Sequence, residues 1–240
     1  MKKWIALVSI ALILMMGLSA LAEGATISAH GVGTVGMTAD HAVITFGVRR
    51  SSTDIAEAQS YVNETLSRAL DRLREKGVTD EDICTRDIRI SEDYSYSADG
   101  MFDQKQPYIV ENNVSVTIRD IDSVGDCMDA VFAAGVNSFT ELRFAASDTK
   151  NESRRAMALA VEDARTRAEV LAGAAGMKLG AVLSITDSGE SGYYYPMSNG
   201  LYEKMEAEAD AGGFANVVFN TDLQVSATAT LVYELLPMDE

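Results

Sequence analysis

Residues 108–119, YIVENNVSVTIR, alternate between apolar and polar side chains and decide the fold class. Successive side chains of a β-strand point to opposite faces, so this alternation predicts a strand with one buried face and one wet face. The apolar face holds Tyr108, Val110, Val114, Val116 and Ile118, and the polar face holds Glu111, Asn113, Ser115, Thr117 and Arg119. Strands of this kind are typical of antiparallel or mixed sheets.

Further segments carry the same strand signal with different strength. The clear ones are residues 222–235, residues 42–48, and a segment marked by Ile88, Ile90, Tyr94 and Tyr96, whereas residues 27–35, 139–146 and 181–186 are weaker. Each is short enough for a strand, and polar or glycine-rich residues separate them. The sequence therefore predicts seven strands.

Three segments switch to the spacing of an amphipathic helix, with start and stop residues at their ends. The predicted limits are Asp54 and Gly77 for the first, Asp122 or Ser123 and Gly135 for the second, and Thr149 and Gly176 for the third. The expected buried residues are Ala58, Val62, Leu66, Ala69, Leu70 and Leu73, then Val124, Met128, Val131 and Phe132, then Ala156, Ala160, Ala164, Ala168, Leu171 and Ala175. On the wet face of the third helix, Asp163 and Arg167 have the spacing of an ion pair.

The predicted order of elements is β β α β β α β α β β. Helices between one-faced strands indicate an α+β protein, with a mixed or antiparallel sheet that is covered by helices on one face and by water or another subunit on the other. Residues 42–96 and 108–146 each have the order strand, helix, strand, which suggests a duplicated βαβ module. Their residues show no self-similarity that would establish the repeat.

Residues 1–22 have the layout of an export signal, with a basic start at Lys2 and Lys3, an apolar run and small residues at the end. We expect cleavage after Ala22. The alternative is an uncleaved membrane anchor, because the apolar run is just long enough to span a bilayer. The remaining residues 23–240 fit one domain or two small ones, and we expect one, with no membrane span after cleavage.

Charge and cysteine content exclude several classes of protein. The 240 residues include 20 basic and 36 acidic ones, with a formal charge of −16, and nucleic-acid binding needs a basic surface. Removal of the two signal lysines moves the charge from −16 to −18. The chain has 2 cysteines, too few for a disulfide framework or a zinc cluster with paired spacings.

Residues 187–213 are rich in glycine and acidic residues and predict a long, flexible loop. A loop of this length is usually functional or disordered. Tyr193, Tyr194 and Tyr195 within it have the composition of a recognition surface, although decoration of a loop explains them as well. The loop also supplies the alternative function, a periplasmic or extracellular module that binds a small ligand or a divalent metal.

No residue is assigned a catalytic, cofactor-binding or metal-binding role. The two histidines, His30 and His41, lie near no recognisable nucleophile motif, and we expect them to be solvated or at strand edges. Gly31 and Gly33 lie inside a strand, whereas a phosphate-binding loop needs a helix after its glycines. They predict a bulge or a close approach of two backbones instead.

Two further residue groups leave alternatives open. Asp80, Glu81 and Asp82 could form a calcium site, but the spaced oxygen ligands and central glycine of a calcium loop are absent, which favours a solvated turn. Cys84 and Cys127 could form a disulfide after export, which would stabilise the fold by about 3–4 kcal/mol on the chain-entropy model, or remain separate thiols.

A series of short motifs runs in a fixed order through residues 27–235. The motifs are Gly31-Val32-Gly33-Thr34-Val35, Ala39-Asp40-His41-Ala42, Asp82-Ile83-Cys84-Thr85, Tyr94-Ser95-Tyr96, Gly135-Val136-Asn137, Ala160-Val161-Glu162-Asp163-Ala164 with Arg167-Ala168, and Val225-Ser226-Ala227 with Val232-Tyr233-Glu234-Leu235. In their order and spacing, the chain resembles the SIMPL-domain family of exported bacterial envelope proteins. Ala39 stands where the family has proline and Arg167 where it has lysine.

The resemblance implies an α+β protein of the periplasm or cell surface, without established enzymatic activity and linked with oxidative-stress defence. Some members assemble into rings. The motifs are structural, so no catalytic residue is implied. We therefore expect a non-enzymatic exported protein, without a cofactor, whose partner is another copy of itself or an unknown envelope protein and which uses an open sheet face or strand edge. A hydrolase would rest on nothing beyond the available aspartates and serines.

Overall fold

The computed structural model describes residues 24–92, 107–194, 213, 214, 217 and 219–238, and of residues 188–194 the backbone alone. The strands are β1 Thr26–Thr38, β2 His41–Ser52, β3 Ile83–Glu92, β4 Tyr108–Ile118, β5 Ser138–Ala145, β6 Met177–Tyr194 and β7 Asp222–Pro237. The α-helices are α1 Ile55–Glu75, α2 Val124–Ala133 and α3 Lys150–Ala174. The α+β class and the order of elements are confirmed. Within the described residues, no helix combines the length and apolar character needed to cross a bilayer.

The chain divides into two compact units, each with its own sheet and apolar core. The larger unit comprises the described parts of residues 36–149 and 195–224, and the smaller unit those of residues 1–35, 150–194 and 225–240. The assignment of residues 23–240 to one domain stays a prediction. The predicted signal peptide, residues 1–22, lies outside the described residues.

The larger unit contains a four-stranded sheet in the order β3-β4-β2-β5, and each strand is antiparallel to its neighbours. Ile44 of β2 lies opposite Val116 of β4 and Leu142 of β5. Because residues opposite each other share a face of the sheet, the apolar residues of the strands form one surface. Helix α1 packs against β2, β4 and α2. The buried core of this unit includes Ala42, Ile44, Phe46, Val48, Val110, Val114, Val116, Ile118, Val124, Met128 and Val131.

Helix α1 begins where the sequence predicts. The Asp54 carboxylate accepts a hydrogen bond from the N–H of Ala56 at 2.8 Å and a longer one from that of Glu57 at 3.4 Å, which satisfies two free donors of the first turn. The Glu57 carboxylate accepts from the Ser52 hydroxyl instead of from Asp54. The chain leaves the helix through Gly77, whose φ of +93° is the left-handed conformation that favours glycine.

A segment near residue 214 completes the core of the larger unit. The N–H of Phe214 donates to the Asp129 carboxylate at 2.7 Å, and the Phe214 ring lies 5.6 Å from that of Phe132 in α2. Phe219 lies 5.4 Å from Phe144 of β5 in the same way. Phe214 is part of the buried core, and Phe219 is partly buried and packs against it.

The smaller unit contains a three-stranded sheet in the order β1-β7-β6, with helix α3 packed against it. Three contacts define the pairing of β1 with β7: Leu235 donates to the Ala25 carbonyl at 2.7 Å, and the side chains of His30 and Thr34 reach those of Thr230 and Ser226, each at 3.2 Å. Along these three contacts the residue number decreases in β7 as it increases in β1, so the two strands are antiparallel.

Gly31 and Gly33 allow the backbone of α3 to lie directly on β1. A Cβ atom at Gly31 would overlap the carbonyl oxygen of Ala160, and one at Gly33 would overlap that of Ala156. Close approach of two backbones was one of the two expectations for these glycines, and it is confirmed. Alanines on the facing side of α3 keep the separation small, because a larger side chain would hold the helix away from the strand.

The buried stripe of α3 differs from the prediction at its C-terminal end. Leu171 and Ala175 are exposed, and Ala172 is buried instead. Buried alanines recur at every fourth position from 156 to 172, a row that winds around the helix axis at an angle. The helix therefore crosses the strands obliquely, which turns the predicted positions 171 and 175 toward solvent.

Two strand predictions also need correction. Strand β6 continues to Tyr194, so the first eight residues of the predicted loop 187–213 belong to a strand. Strand β3 begins at Ile83 and lies at the edge of its sheet, and Ile88 and Ile90 on it are exposed. An edge strand has a neighbour on one side only, so its apolar residues gain less cover. Tyr94 and Tyr96 lie outside the described residues.

Candidate functional site

Strand β6 forms one edge of the sheet in the smaller unit and carries exposed apolar side chains. Val182, Leu183 and Ile185 are 46%, 56% and 61% exposed, although isoleucine, valine and leucine are normally buried. Residues 179–186, LGAVLSIT, contain no charged side chain in a chain with a charge of −16. The backbone of an edge strand offers unpaired N–H and C=O groups, so this segment can accept another strand.

The opposite edge of the same sheet, along β1, has a different environment. In an antiparallel pair, alternate residues direct their backbone groups toward the same neighbour. Because the Ala25 carbonyl points to β7, the backbone groups of the odd-numbered residues of β1 point to β7 as well. The N–H of Val32 therefore points outward, away from β7. This N–H donates to the carboxylate of Asp163 in α3 at 3.0 Å. A side chain of the helix thus occupies the middle of this edge.

Asp163 joins the outer edge of β1 to an ion pair on α3. Arg167 lies 2.9 Å from the same carboxylate oxygen, which confirms the pair predicted from its spacing. The N–H of Val32 and the guanidinium of Arg167 together lower the pKa of Asp163 below its usual value. The contact with Val32 could not be predicted from the local sequence because 131 residues separate the two positions.

Asp40, His41 and Ser147 bring the residue types of a hydrolase triad together in the larger unit. In a working triad the histidine lies between the serine and the carboxylate. Here the Asp40 carboxylate accepts from both partners: from His41 Nδ1, and from the Ser147 hydroxyl at 3.1 Å. The serine therefore donates to the carboxylate rather than to an imidazole base. It is not activated as a nucleophile.

The cluster has a structural role at the turn between β1 and β2. The N–H of Ser147 donates to the Asp40 carboxylate at 2.9 Å, which ties the turn to the residues that follow β5. The hydrogen bonds from His41 and Ser147 lower the pKa of Asp40. His30, the other histidine, is exposed on β1 beside Thr230, in agreement with the expected edge position.

Residues 80–82, which could have formed a calcium site, have other partners. Asp80 pairs with Arg74 at 2.8 Å, and Asp82 accepts from the Thr79 hydroxyl and from Arg119, both at 2.7 Å. The hydrogen bond from Thr79 and the charge of Arg119 lower the pKa of Asp82. In the part of the chain that the structure describes, no three histidine, cysteine or acidic side chains group together as metal ligands.

The two cysteines are free thiols and lie on different faces of the sheet in the larger unit. Cys84 is opposite Ser115 of β4, on the face away from the helices, whereas Cys127 is buried in α2 within the core. The sheet therefore separates the two sulfur atoms, and the disulfide considered from the sequence is not formed. Burial raises the pKa of the Cys127 thiol, which keeps it in the unreactive protonated form.

The tyrosines proposed from the sequence as a contact surface are only partly covered by the structure. Tyr193 and Tyr194 end strand β6, where the backbone alone is described, and Tyr195 lies outside the described residues. A partner contact through these residues stays a prediction. So does the ligand-binding or metal-binding role of residues 187–213.

A cavity of about 790 Å³ lies between α1 and α2 in the larger unit. Its lining includes Arg72, Glu75 and Lys76, and all three are already in ion pairs: Arg72 with Glu75 at 3.2 Å, and Lys76 with Asp126 at 3.5 Å. Small-molecule sites are mostly apolar with few polar groups. Most residues of this lining are charged side chains at the surface, so the cavity does not have this character.

Comparison with known proteins identifies relatives along almost the whole described chain. Residues 27–233 match the model of the SIMPL family, described as a protein of unknown function (DUF541). The chain is 29% identical over 191 residues to the 26 kDa periplasmic immunogenic protein of Brucella melitensis biotype 1. The aligned region covers 78% of this chain and 76% of the relative.

Proteins named YggE are similar as well. The uncharacterized protein YggE of Edwardsiella ictaluri is 28% identical over 185 residues, covering 73% of this chain and 77% of the relative. That of Escherichia coli K12 is 25% identical over 242 residues, covering 96% and 94%. None of these descriptions names a reaction. Since the family match extends over most of the chain, this protein belongs to the SIMPL family.

Proposed function

We propose that this protein is a non-enzymatic, exported protein of the cell envelope that acts as a scaffold by associating with further copies of itself through strand β6. The apparent signal peptide at residues 1–22 and the periplasmic relative of Brucella support export. The position of Asp40 between Ser147 and His41 argues against a hydrolase. We place this scaffold role in oxidative-stress defence, in keeping with what the family resemblance implies.

The observation that carries the proposal is the exposed apolar edge of β6. Leu183 and Ile185 are both more than half exposed, at 56% and 61%, on an 18-residue strand with no strand beside its outer edge in the described residues. Such an edge pairs readily with another strand, and natural proteins usually protect it with charges or proline. Residues 179–186 contain neither.

A second copy of the chain is the occupant that the charge distribution favours. Two acidic copies repel each other over most of their surface, but the uncharged segment of β6 opposes its own counterpart without charge repulsion. Two β6 strands can pair antiparallel about a twofold axis, which is the commonest symmetry of protein oligomers. Backbone hydrogen bonds would then form along the strand, and the exposed apolar side chains would be buried.

The experiment measures the mass of the mature protein, residues 23–240, by size-exclusion chromatography with light scattering. We expect a multiple of the chain mass for the wild type and the monomer mass for the double variant Leu183→Lys, Ile185→Lys, because charged side chains on an edge strand oppose pairing. The matched control is the double variant Val170→Lys, Leu171→Lys. It changes two exposed apolar residues of helix α3 and should leave the mass unchanged.

Two outcomes would contradict the proposal. A wild-type protein that stays monomeric at all concentrations has no self-association to explain. An oligomer that both double variants leave intact uses another surface.

A further inference from the structure

The outer edge of β1 is a second surface to which another strand could pair. We propose that strand β6 of another copy fits the outer edge of β1 and that Asp163 keeps this edge closed. In each copy, only the β6 edge of the sheet in the smaller unit is then open to assembly. The inference rests on the proposed function for the role of β6 as the pairing strand. The inference adds Asp163 as the residue that prevents assembly through both the β1 edge and the β6 edge.

Strand β1 would otherwise be a suitable edge. Its 13 residues, TISAHGVGTVGMT, include no aspartate, glutamate, lysine or arginine, so the strand itself carries no charge that would repel a neighbour. In the described residues β7 is its only strand neighbour. The N–H groups of Ser28, Val32 and Thr34 all point outward, because the antiparallel register directs the backbone N–H and C=O groups of even-numbered residues away from β7.

Asp163 blocks this edge at its centre in two ways. Its carboxylate takes the Val32 N–H at 3.0 Å, which is one of the donors that an incoming strand would need. It also places a negative charge beside the strand, fixed by Arg167 at 2.9 Å. An incoming strand would have to displace the carboxylate from the Val32 N–H and would bring its own backbone carbonyl groups close to the negative charge. Natural sheets protect their edges with charged side chains in this manner.

The block determines the form of the assembly. When only β6 is available, two copies pair about a twofold axis and the assembly is closed. When β1 is available too, β6 of one copy can pair with β1 of the next, and each added copy presents a new free edge. Such head-to-tail contacts form a ring if the rotation closes, and otherwise an open filament.

The test compares Asp163→Ala with a matched control on the same helix. Glu169→Ala removes the partner of Arg165. These two residues form an ion pair with the same spacing and a length of 2.9 Å, and no hydrogen bond from either to β1 is described. We expect the mass of Asp163→Ala, measured by sedimentation velocity, to increase at least twofold over wild type and to rise further with protein concentration. The Glu169→Ala protein should sediment as wild type.

Two further variants identify the edges involved. Proline at position 32 has no N–H and is tolerated on an outward-facing edge position, so Val32→Pro should restore the wild-type mass in the Asp163→Ala background. Adding Leu183→Lys and Ile185→Lys to Asp163→Ala should abolish the growth, because the other copy contributes β6. Growth that persists in the second combination would show that a strand other than β6 occupies the edge and would overturn the proposal.

Amide hydrogen exchange of the wild type tests the same idea without a variant. We expect the Val32 amide to exchange at least tenfold more slowly than those of Ser28 and Thr34, because only Val32 donates to Asp163. Equal protection of all three amides would contradict the proposal, as would an Asp163→Ala protein with the wild-type mass. Growth of Asp163→Ala from a monomeric wild type would support this inference while the proposed function fails.

Discussion

At the scale of single residues, Gly31 and Gly33 connect the family pattern to the packing of the smaller unit. Both lie on the face of β1 that meets α3, and both face backbone atoms of alanines in that helix. A backbone atom cannot rotate away as the end of a side chain can. The motif Gly-x-Gly is therefore explained by the close contact between a strand and a helix, and it does not indicate a ligand-binding loop.

We expect Gly33→Ala to destabilise the protein by about 1–3 kcal/mol, the usual cost of overpacking a core. The added Cβ would overlap the Ala156 carbonyl oxygen and would push α3 away from β1. Gly36→Ala in the same strand is the control, since nothing lies within 4 Å of the added atom, and it should change stability by less than about 0.5 kcal/mol. Urea unfolding of both variants measures the difference. Equal midpoints would show that the helix does not lie on the strand as described.

At the scale of elements, Asp82 fastens the connection between α1 and β3 to the end of β4. Its side chain is 4% exposed and accepts from the Thr79 hydroxyl and from Arg119, the residue after β4. The short 3-10 turn Asp80–Asp82 thereby gains a contact with a strand 37 positions away. This explains an aspartate at the first position of the motif Asp82-Ile83-Cys84-Thr85 without a metal.

Lowering the pH should weaken the contacts of Asp82 with Thr79 and Arg119. The pKa of Asp82 is lower in the folded than in the unfolded protein, so the ionised carboxylate stabilises the fold above its unfolded pKa of about 4, and that stability is lost as the pH falls through the folded value. We expect Asp82→Asn to reduce the stability at pH 7 by about 1 kcal/mol, as for loss of a charged hydrogen bond to a largely exposed arginine.

The measurement is urea unfolding of wild type and Asp82→Asn between pH 7 and pH 2. The gap between the two proteins should begin to narrow below about pH 4 and should close once the pH is below the folded pKa of Asp82, because both then carry a neutral side chain. Asp80→Asn is the control, since this carboxylate is on the surface and is 81% exposed. A gap that stays constant down to pH 2 would mean that the charge of Asp82 does not contribute.

The sequence was sufficient for elements whose own side chains define them. Helix α1 has a capping residue, a regular apolar stripe and a terminal glycine, all of which act locally, and its prediction is confirmed. The end of β6 was missed because glycine, serine and glutamate rarely form strands without a neighbouring strand. The hydrogen bond between Val32 and Asp163 was beyond prediction, since it depends on how α3 lies on β1.

At the scale of the whole molecule, the charge and the edges of the smaller unit act in opposite directions. Residues 23–240, the chain expected if the predicted signal peptide is removed, carry a formal charge of −18, because Lys2 and Lys3 leave the total of −16. This charge repels other copies, while the uncharged edge of β6 can bind one. The proposed self-association would therefore depend on how strongly the solution screens the charge.

We expect added salt to strengthen the self-association of the mature protein. The screening length falls from about 30 Å at 0.01 M salt to about 8 Å at 0.15 M, which weakens the repulsion between copies, whereas backbone pairing and burial of Leu183 and Ile185 do not depend on opposite charges. Sedimentation equilibrium at the two salt concentrations should show a dissociation constant that is severalfold lower at 0.15 M. The Leu183→Lys, Ile185→Lys protein should stay monomeric at both. An association that weakens with salt would instead indicate an interface built on ion pairs, and the uncharged edge of β6 could not then be its main component.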